Sequence, residues 1–276
     1  MIYYGIEIWD IIFKKLIGSI KLNITKIKNL KKKSSQEFNF KKKISILKSI
    51  ITDPKLRHSA KYNLMLAYKR RLLEESGVRI INPMSLASFD DLDLQLSRAA
   101  YVRGNTTYLE MMCILGLTKK YVTNGKNFLE IGTFDGNLTR NISINLDSNS
   151  KIITIDLPED SDPKNLLDSD NSLIEMDRRK KKKHLGLSNV EQVYGDSTKI
   201  DFSRFDFNGA FIDGGHDFET VRLDTINILK NINKPGFIAW HDYAMETDVE
   251  EVISSLYYDY DICYVEGTNM VVLELN

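Results

Sequence analysis

The chain has few cysteines and no long apolar run. Only two cysteines occur among 276 residues, Cys113 and Cys263, and neither has the spacing of a metal-binding or redox pair. We therefore expect two reduced, buried thiols, which excludes a disulfide-based scaffold. No stretch reaches the roughly 18 apolar residues that a membrane span needs. Glu7 and Asp10 interrupt the apolar start of the chain, so we expect no signal peptide either.

The chain also lacks an excess of charge of either sign. Lys and Arg total 38 and Asp and Glu total 38, so no global field favours nucleic acid and we expect no nucleic-acid partner. Residues 1–50, however, hold twelve lysines, with Ile12, Leu16 and Ile20 at helical spacing among them. Such an arm could be a basic amphipathic helix on an anionic membrane surface, or a solvated helix, or a homo-oligomerisation segment. We expect a cytoplasmic protein, with peripheral membrane contact as the open alternative.

The domain organisation is predicted from changes in composition and hydrophobic pattern along the chain. After the lysine-rich helical arm, residues 51–125 are predicted to be a helical region that forms the substrate pocket or cap. Within it, Asn105 or Thr106 is expected to cap a helix from Tyr108 to Leu115, which Gly116 closes. Residues 126–276 then form the third part, in which β-rich runs alternate with helical segments.

The alternation in residues 126–276 predicts βαβ units and a mostly parallel sheet. Apolar residues repeat at every third or fourth position from Phe218 to Ile232, which indicates a helix packed on that sheet. The last two strands are separated by a hairpin-length turn, so the sheet should end with an antiparallel strand. Residues 158–189 form one long insertion. The predicted strands are 127–131, 151–155, 190–194, 209–213, 236–241, 260–265 and 270–275.

Two predicted strands end in Asp and His. One runs into Asp-Gly-Gly-His at 213–216, and the other runs into His-Asp at 241–242. Ligands and chemistry lie at the carboxyl ends of strands in open parallel sheets. Four side chains able to bind metal or transfer protons should therefore meet at one edge of the sheet.

A second group of residues indicates a nucleoside site. Gly132 and Gly136 follow the first strand as Gly-x-x-x-Gly, which lets the backbone approach a ligand but is not the three-glycine dinucleotide motif. Asp156 ends the second strand, where an acid can accept hydrogen bonds from ribose hydroxyls. Asp196 ends the third, where a carboxylate could accept from the exocyclic amine of adenine. Glu130, just before the first glycine, suits a cationic ligand.

Taken together, these runs resemble the class I S-adenosylmethionine-dependent methyltransferases, in particular the branch that methylates sugars and other secondary metabolites. The matching runs are 130–136, 155–158, 194–197, 213–216 and 240–243. The resemblance covers a little over half of the chain. It implies a Rossmann-like α/β fold with a seven-stranded sheet and a reversed last strand. The residues that it assigns to S-adenosylmethionine are Glu130, Gly132, Thr133, Phe134, Gly136, Asn137, Asp156, Leu157, Asp196, Ser197 and Asp213.

The same resemblance assigns roles at the two strand ends. In the similar metal-dependent enzymes, the residue matching Asp213 binds a divalent cation and the one matching His216 is the general base. Two consecutive residues at the next strand end complete the cation's ligands, here His241 and Asp242. The similar enzymes have an acidic pair there. A histidine ligand suits Mg²⁺ less well than a carboxylate, so a site without a metal is the alternative. In that version His216 is still the base, and His241 and Asp242 orient it or the substrate.

The function expected from the sequence is therefore methyl transfer to a hydroxyl of a glycan or small metabolite, with His216 and Asp213 as catalytic residues. Two alternatives belong to other classes: a nucleotide-dependent oxidoreductase, which the missing three-glycine motif argues against, and a non-catalytic, methyltransferase-like binding subunit. The acceptor itself cannot be read from the sequence.

Overall fold

The structure is a computed structural model. It describes residues 78–86, 92–97, 105–158, 186–243 and 247–276. All of them belong to residues 73–276, the second of two compact units into which the chain divides. The predictions for the lysine-rich arm, and for most of the 158–189 insertion, lie outside the described residues. In the part of the chain that is described, no helix is long and apolar enough to cross a membrane.

The centre of the described unit is one sheet of eight strands, in the spatial order β1-β7-β8-β6-β5-β2-β3-β4. All strand pairs are parallel except those that involve β8, which runs antiparallel to both β6 and β7. The strands are β1 (Arg79–Ile81), β2 (Phe128–Ile131), β3 (Ile152–Asp156), β4 (Val190–Tyr194), β5 (Gly209–Ile212), β6 (Gly236–Trp240), β7 (Cys263–Val265) and β8 (Val271–Leu275).

The predicted α/β fold is confirmed, and the sheet has one strand more than predicted. The seven predicted strands form its body, with the last strand reversed. The additional strand, β1, pairs in parallel with β7 at the edge. Only three residues long and set among residues that lacked a clear pattern, β1 carried no alternation from which a strand could be predicted. Arg79 connects β1 to β7 and to the residues before it, because its guanidinium donates to Cys263 Sγ and lies 3.1 Å from Asp261 Oδ2.

Five α-helices accompany the sheet in the described residues. The helix predicted from Tyr108 to Leu115 was expected to be closed by Gly116, and this is wrong. Helix α2 (Tyr108–Tyr121) continues to Tyr121, with Gly116 buried inside it. An internal glycine costs about 1 kcal/mol relative to alanine, which the burial of Leu115 and Leu117 outweighs. The helices are α1 (Pro83–Leu86), α2 (Tyr108–Tyr121), α3 (Asn137–Asn145), α4 (Phe218–Asn231) and α5 (Thr247–Ser254).

The cap of α2 also differs from the prediction. Thr107, rather than Asn105 or Thr106, is the N-cap, and its hydroxyl accepts from the backbone N–H of Glu110. The Glu110 carboxylate in turn accepts from the backbone N–H of Thr107 at 2.7 Å. This capping box fixes the first turn of α2 and turns the Glu110 side chain inward.

Hydrophobic cores lie on both faces of the sheet. One is built around Trp240, whose indole N–H donates to Thr225 of α4 at 3.0 Å. The other is built around Phe128 and Phe237 with the buried face of α2. Because β2, β5 and β6 are covered on both sides, their residues are buried in succession instead of alternating, and all of them except Glu130 are apolar.

One carboxylate is buried within the first of these cores. Asp224 lies on the sheet-facing side of α4 and is fully buried. Its Oδ2 accepts a hydrogen bond from Ser197 Oγ at 3.0 Å, and among the described residues its Oδ1 has no hydrogen-bond partner. Burial raises the pKa of Asp224 from 3.8 to about 7. The side chain therefore favours its neutral form in the folded protein over most of the acidic range.

This burial predicts how stability depends on pH. The folded state raises the pKa of Asp224. The contribution of protonated Asp224 to the free energy of unfolding is therefore fully present below pH 3.8 and is lost as pH rises through about 7. Asp224→Asn should flatten that loss, by at most about 4 kcal/mol for a shift of about three pKa units. Chemical denaturation of both proteins at pH 4 to 8 measures the difference. Parallel curves would show that Asp224 ionises at its ordinary pKa in the folded protein.

Candidate active site

Three strand ends continue their ladder by one residue into the site. Gly132, which follows β2, donates its N–H to Ile155 O; Asp213, which follows β5, donates to Ile131 O; and His241, which follows β6, donates to Ile212 O. These bonds measure 2.9 to 3.0 Å. The predicted site residues at the ends of adjacent strands are thereby brought to a single edge, as the parallel order requires.

The loop after β2 touches the loop after β5. Gly132 has φ +94°, and a Cβ placed on it would lie 1.9 Å from the carbonyl oxygen of Asp213. Only glycine fits there, both because of the left-handed conformation and because of the close approach. Gly136, with φ +73°, caps α3, and Phe134 between the two glycines also has a positive φ of 49°. The glycine spacing thus produces a tight loop whose backbone lies against the acidic loop of β5.

Glu130 lies beneath this loop. Its Oε2 accepts from Thr139 Oγ1 at 2.6 Å and from Thr154 Oγ1 at 2.5 Å, and 1% of its surface is exposed. Burial raises its pKa to about 8, so the carboxyl tends to be neutral. The Thr133 hydroxyl, 2.7 Å from that of Thr154, extends the network. Glu130 thus ties β2, β3 and α3 together under the loop.

The residues predicted to bind adenosine lie at the ends of β3 and β4. Asp156 is half-buried, and its Oδ1 accepts from the backbone N–H of Leu157. Asp196 caps the short 3₁₀ helix Ser197–Lys199, where its Oδ1 accepts from Thr198 and its Oδ2 lies 2.6 Å from Lys199 Nζ. The side chain of Asp196 therefore already has protein partners. Capping a turn is a common role for an aspartate in this position.

Asp213, His216 and Asp242 converge at the other side of the edge. His216 Nε2 lies 3.1 Å from Asp242 Oδ2 and 3.7 Å from Asp213 Oδ1. One potential ligand atom from each of the three lies within 4.8 Å of the others, so the group could hold a metal ion. Asp242 adopts a left-handed φ of 53°, which brings its carboxylate to the cluster straight after β6. Two carboxylates and one imidazole are a donor set for a divalent cation with mixed oxygen and nitrogen ligation.

His241 lies behind this cluster, although the sequence assigned it to the metal. Its Nδ1 is 3.2 Å from Asp213 Oδ1 and 3.4 Å from Asp242 Oδ1, and its Nε2 is 3.3 Å from Glu110 Oε2. Burial lowers the pKa of His241, but the charges of the two aspartates outweigh burial and hold it well above 6.5. The Nδ1 of His241 thus faces the two aspartates, and its Nε2 faces Glu110. Among the described residues, the group of three potential ligands contains His216 and not His241.

Glu110 is the site residue that the sequence analysis missed. It is buried on α2, outside the resemblance to the methyltransferases, and it reaches the far side of His241. Burial raises its pKa, but the adjacent His241 and hydrogen bonds from Asn269 and Thr107 lower it below its usual value of 4.5. The Thr-x-x-Glu pattern at 107–110 was a signal for the cap, but no local pattern points to His241.

Comparison with known proteins agrees with the architecture. A family model for a methyltransferase domain matches residues 129–243, which span the ends of β2, β3, β4, β5 and β6. The reversed last strand, β8, agrees with the sheet that the resemblance implied. This match and the fold agree with the predicted resemblance to the class I S-adenosylmethionine-dependent methyltransferases. The match favours methyl transfer over the oxidoreductase alternative.

Solved structures similar to the chain include other methyltransferases. The O-methyltransferase NovP is 13% identical with a TM-score of 0.47, covering 70% of this chain and 96% of that one. An O-methyltransferase from Bacillus cereus is 12% identical with a TM-score of 0.42, covering 63% and 84%. An rRNA methylase from Streptococcus thermophilus is 18% identical with a TM-score of 0.43, covering 64% and 99%. A search among curated proteins finds no match.

Proposed function

We propose that the methyltransferase domain transfers a methyl group to a hydroxyl oxygen of a glycan or small metabolite. His216 serves as the general base, and Asp213 and Asp242 hold a divalent cation. The observation that carries the proposal is the convergence of these three side chains at the strand edge, with 3.1 Å between His216 Nε2 and Asp242 Oδ2.

The donor set fits a cation. Three carboxylates, those of Glu110, Asp213 and Asp242, surround the single His241 imidazolium at 3.2 to 3.4 Å. The charge of His241 and the contact with His216 keep the pKa of Asp242 low despite its burial, so this carboxylate stays ionised and able to bind a cation. Two negative charges remain in excess within this group, which is what a divalent ion neutralises.

The loops of β2 and β3 suit the methyl donor. The tight Gly132–Gly136 loop has a positive φ at Gly132, Phe134 and Gly136, and Asp156 lies at the end of the adjacent strand. When bound, S-adenosylmethionine supplies a methyl group on a positively charged sulfur. Glu130 would act by fixing this loop from below through Thr139 and Thr154.

The residues of the cluster would activate the hydroxyl of the acceptor, each in a different way. A hydroxyl is a poor nucleophile, and a bound divalent cation would lower its pKa. His216, whose ordinary pKa is about 6.5, takes the hydroxyl proton. Asp242 stabilises the resulting imidazolium across 3.1 Å. The deprotonated oxygen would then be the nucleophile for the methyl group that S-adenosylmethionine supplies, with S-adenosylhomocysteine as the leaving group.

The cation gives the first test of this proposal. We expect wild-type protein to bind Mn²⁺ or Mg²⁺ in calorimetry and to lose methyl transfer in a chelator. Asp213→Asn removes one charged ligand and should weaken Mn²⁺ binding tenfold or more. Asp201→Asn is the matched control, because Asp201 is an exposed carboxylate that only caps the turn Phe202–Arg204. Activity that survives the chelator, with no cation bound by the wild type, would leave His216 to act without a metal.

A panel of hydroxylated acceptors tests the enzyme proposal itself. Radiolabelled methyl from S-adenosylmethionine should appear as an ether on a sugar or phenolic acceptor. Cofactor binding without transfer to any acceptor in the panel would favour the non-catalytic binding subunit.

A further inference from the structure

We infer that Glu110 is a positioning residue of this site: it holds His241 so that the imidazole braces Asp213 and Asp242 from behind and leaves the cation to those carboxylates. This inference rests on the proposed function, since it concerns the cation that the two aspartates would hold. Nothing in the sequence motifs assigns Glu110 a role, because it lies on α2, before the methyltransferase motifs begin.

The contacts of Glu110 are those of a fixed acceptor. Its side chain is 1% exposed. Oε2 accepts from the backbone N–H and hydroxyl of Thr107 at 2.7 and 2.8 Å, and it lies 3.3 Å from His241 Nε2. Oε1 accepts from the backbone N–H of Asn269 at 2.7 Å. With both oxygens engaged by three residues, the carboxylate cannot turn away from His241 without breaking several hydrogen bonds.

This position decides which nitrogen of His241 faces the aspartates. Because Nε2 meets Glu110, Nδ1 points to Asp213 at 3.2 Å and to Asp242 at 3.4 Å. The Phe211 ring, with its centroid 6.0 Å from that of the imidazole, packs beside it. A histidine held in this way donates to the ligand carboxylates and sets their orientation, as outer-shell partners do in metal sites.

A second connection closes the arrangement into a ring. Asn269, in the turn between β7 and β8, donates its N–H to Glu110 and accepts the N–H of Tyr243 through its carbonyl at 2.9 Å. Tyr243 directly follows Asp242, which has the left-handed φ of 53°. Glu110 therefore supports the ligand pair from two sides, through the His241 side chain and through the backbone next to Asp242. Helix α2 is in this way part of the site, although the methyltransferase motifs do not include it.

The test uses Glu110→Gln, which keeps the shape of the side chain and one acceptor oxygen but removes the charge. We expect Mn²⁺ affinity, measured by calorimetry, to fall about 10- to 100-fold, while affinity for S-adenosylmethionine changes less than twofold. Glu219→Gln is the matched control, because Glu219 is an exposed carboxylate in the first turn of α4 that pairs with Arg222. It should leave both affinities unchanged.

A double-mutant cycle shows whether Glu110 acts through His241. In a His241→Ala background, Glu110→Gln should cause a smaller loss of Mn²⁺ affinity than in the wild type, because only the backbone connection through Asn269 remains. Equal Mn²⁺ affinity in wild type and Glu110→Gln would overturn the inference and leave the proposed cation intact. An equal loss in Glu219→Gln would also overturn it, because the loss would then follow from removal of a negative charge and not from the contact with His241. A wild type that binds S-adenosylmethionine but no Mn²⁺ would remove the proposed cation and the inference together.

Discussion

His216→Ala should lower kcat by about 10²- to 10⁴-fold, the usual contribution of a positioned general base. The reason is local: His216 is the imidazole whose Nε2 lies next to Asp242, in the group that would bind the acceptor hydroxyl. Binding of S-adenosylmethionine should persist, because the predicted cofactor residues lie mainly on the loops of β2, β3 and β4. Single-turnover methyl transfer measures the chemical step, and calorimetry measures the affinities.

The same variant separates the two roles that an imidazole in this position could have. If His216 is the base, Mn²⁺ affinity changes little when it is removed, and transfer recovers at high pH as solvent hydroxide replaces it. If His216→Ala loses the cation together with activity, His216 is a ligand and the base lies elsewhere. Unchanged transfer would eliminate both roles. His216→Gln adds a comparison, since glutamine can coordinate a cation through its oxygen but cannot accept the proton of the acceptor hydroxyl.

Much of the fold was accessible from the sequence because the strands are buried on both faces. Runs such as Phe237 to Trp240 are apolar without interruption, and the residues that end them are polar. This contrast also located Asp213, His216 and Asp242, since side chains that follow parallel strands must meet at one edge. β1 could not be predicted in the same way, because three residues do not establish a period.

The side-chain arrangement within the site was less accessible. Spacing indicates that His241 is at the edge but not which way its ring turns. That depends on Glu110, about 130 positions earlier in the chain, through a contact set by how α2 packs against the sheet. Glu130 illustrates the same limit. Its place before Gly132 suggested a ligand contact, but Thr139 and Thr154 provide hydroxyls that hold its carboxyl beneath the loop. Local sequence therefore specified where polar groups emerge, and tertiary packing decided which of them face the edge.

Gly132→Ala should disrupt both halves of the site at once. Its Cβ would lie 1.9 Å from Asp213 O and 2.7 Å from the carbonyl carbon, and backbone atoms cannot move away as a flexible side chain can. The φ of +94° adds strain of about 1–2 kcal/mol for a residue with a Cβ. We expect a total loss of roughly 4 kcal/mol or more in the free energy of unfolding, which is in the range of severe mutations. Binding of both S-adenosylmethionine and Mn²⁺ should fall, since relief of the clash displaces the cofactor loop and Asp213 together.

Gly186→Ala distinguishes the close approach from the backbone strain. Gly186 has a nearly equal φ of +97°, but a Cβ placed there meets nothing within 4 Å. It should therefore cost only the conformational strain, about 1–2 kcal/mol, and leave ligand binding unchanged. Denaturant unfolding gives the two free energies, and calorimetry gives the affinities. If the two variants lose equal stability, the two loops can separate without cost, and the contact between Gly132 and Asp213 does not couple the cofactor side of the site to the acceptor side. If only Gly132→Ala loses Mn²⁺ affinity, the backbone contact is the physical link by which the methyl-donor loop and the proposed cation site depend on each other.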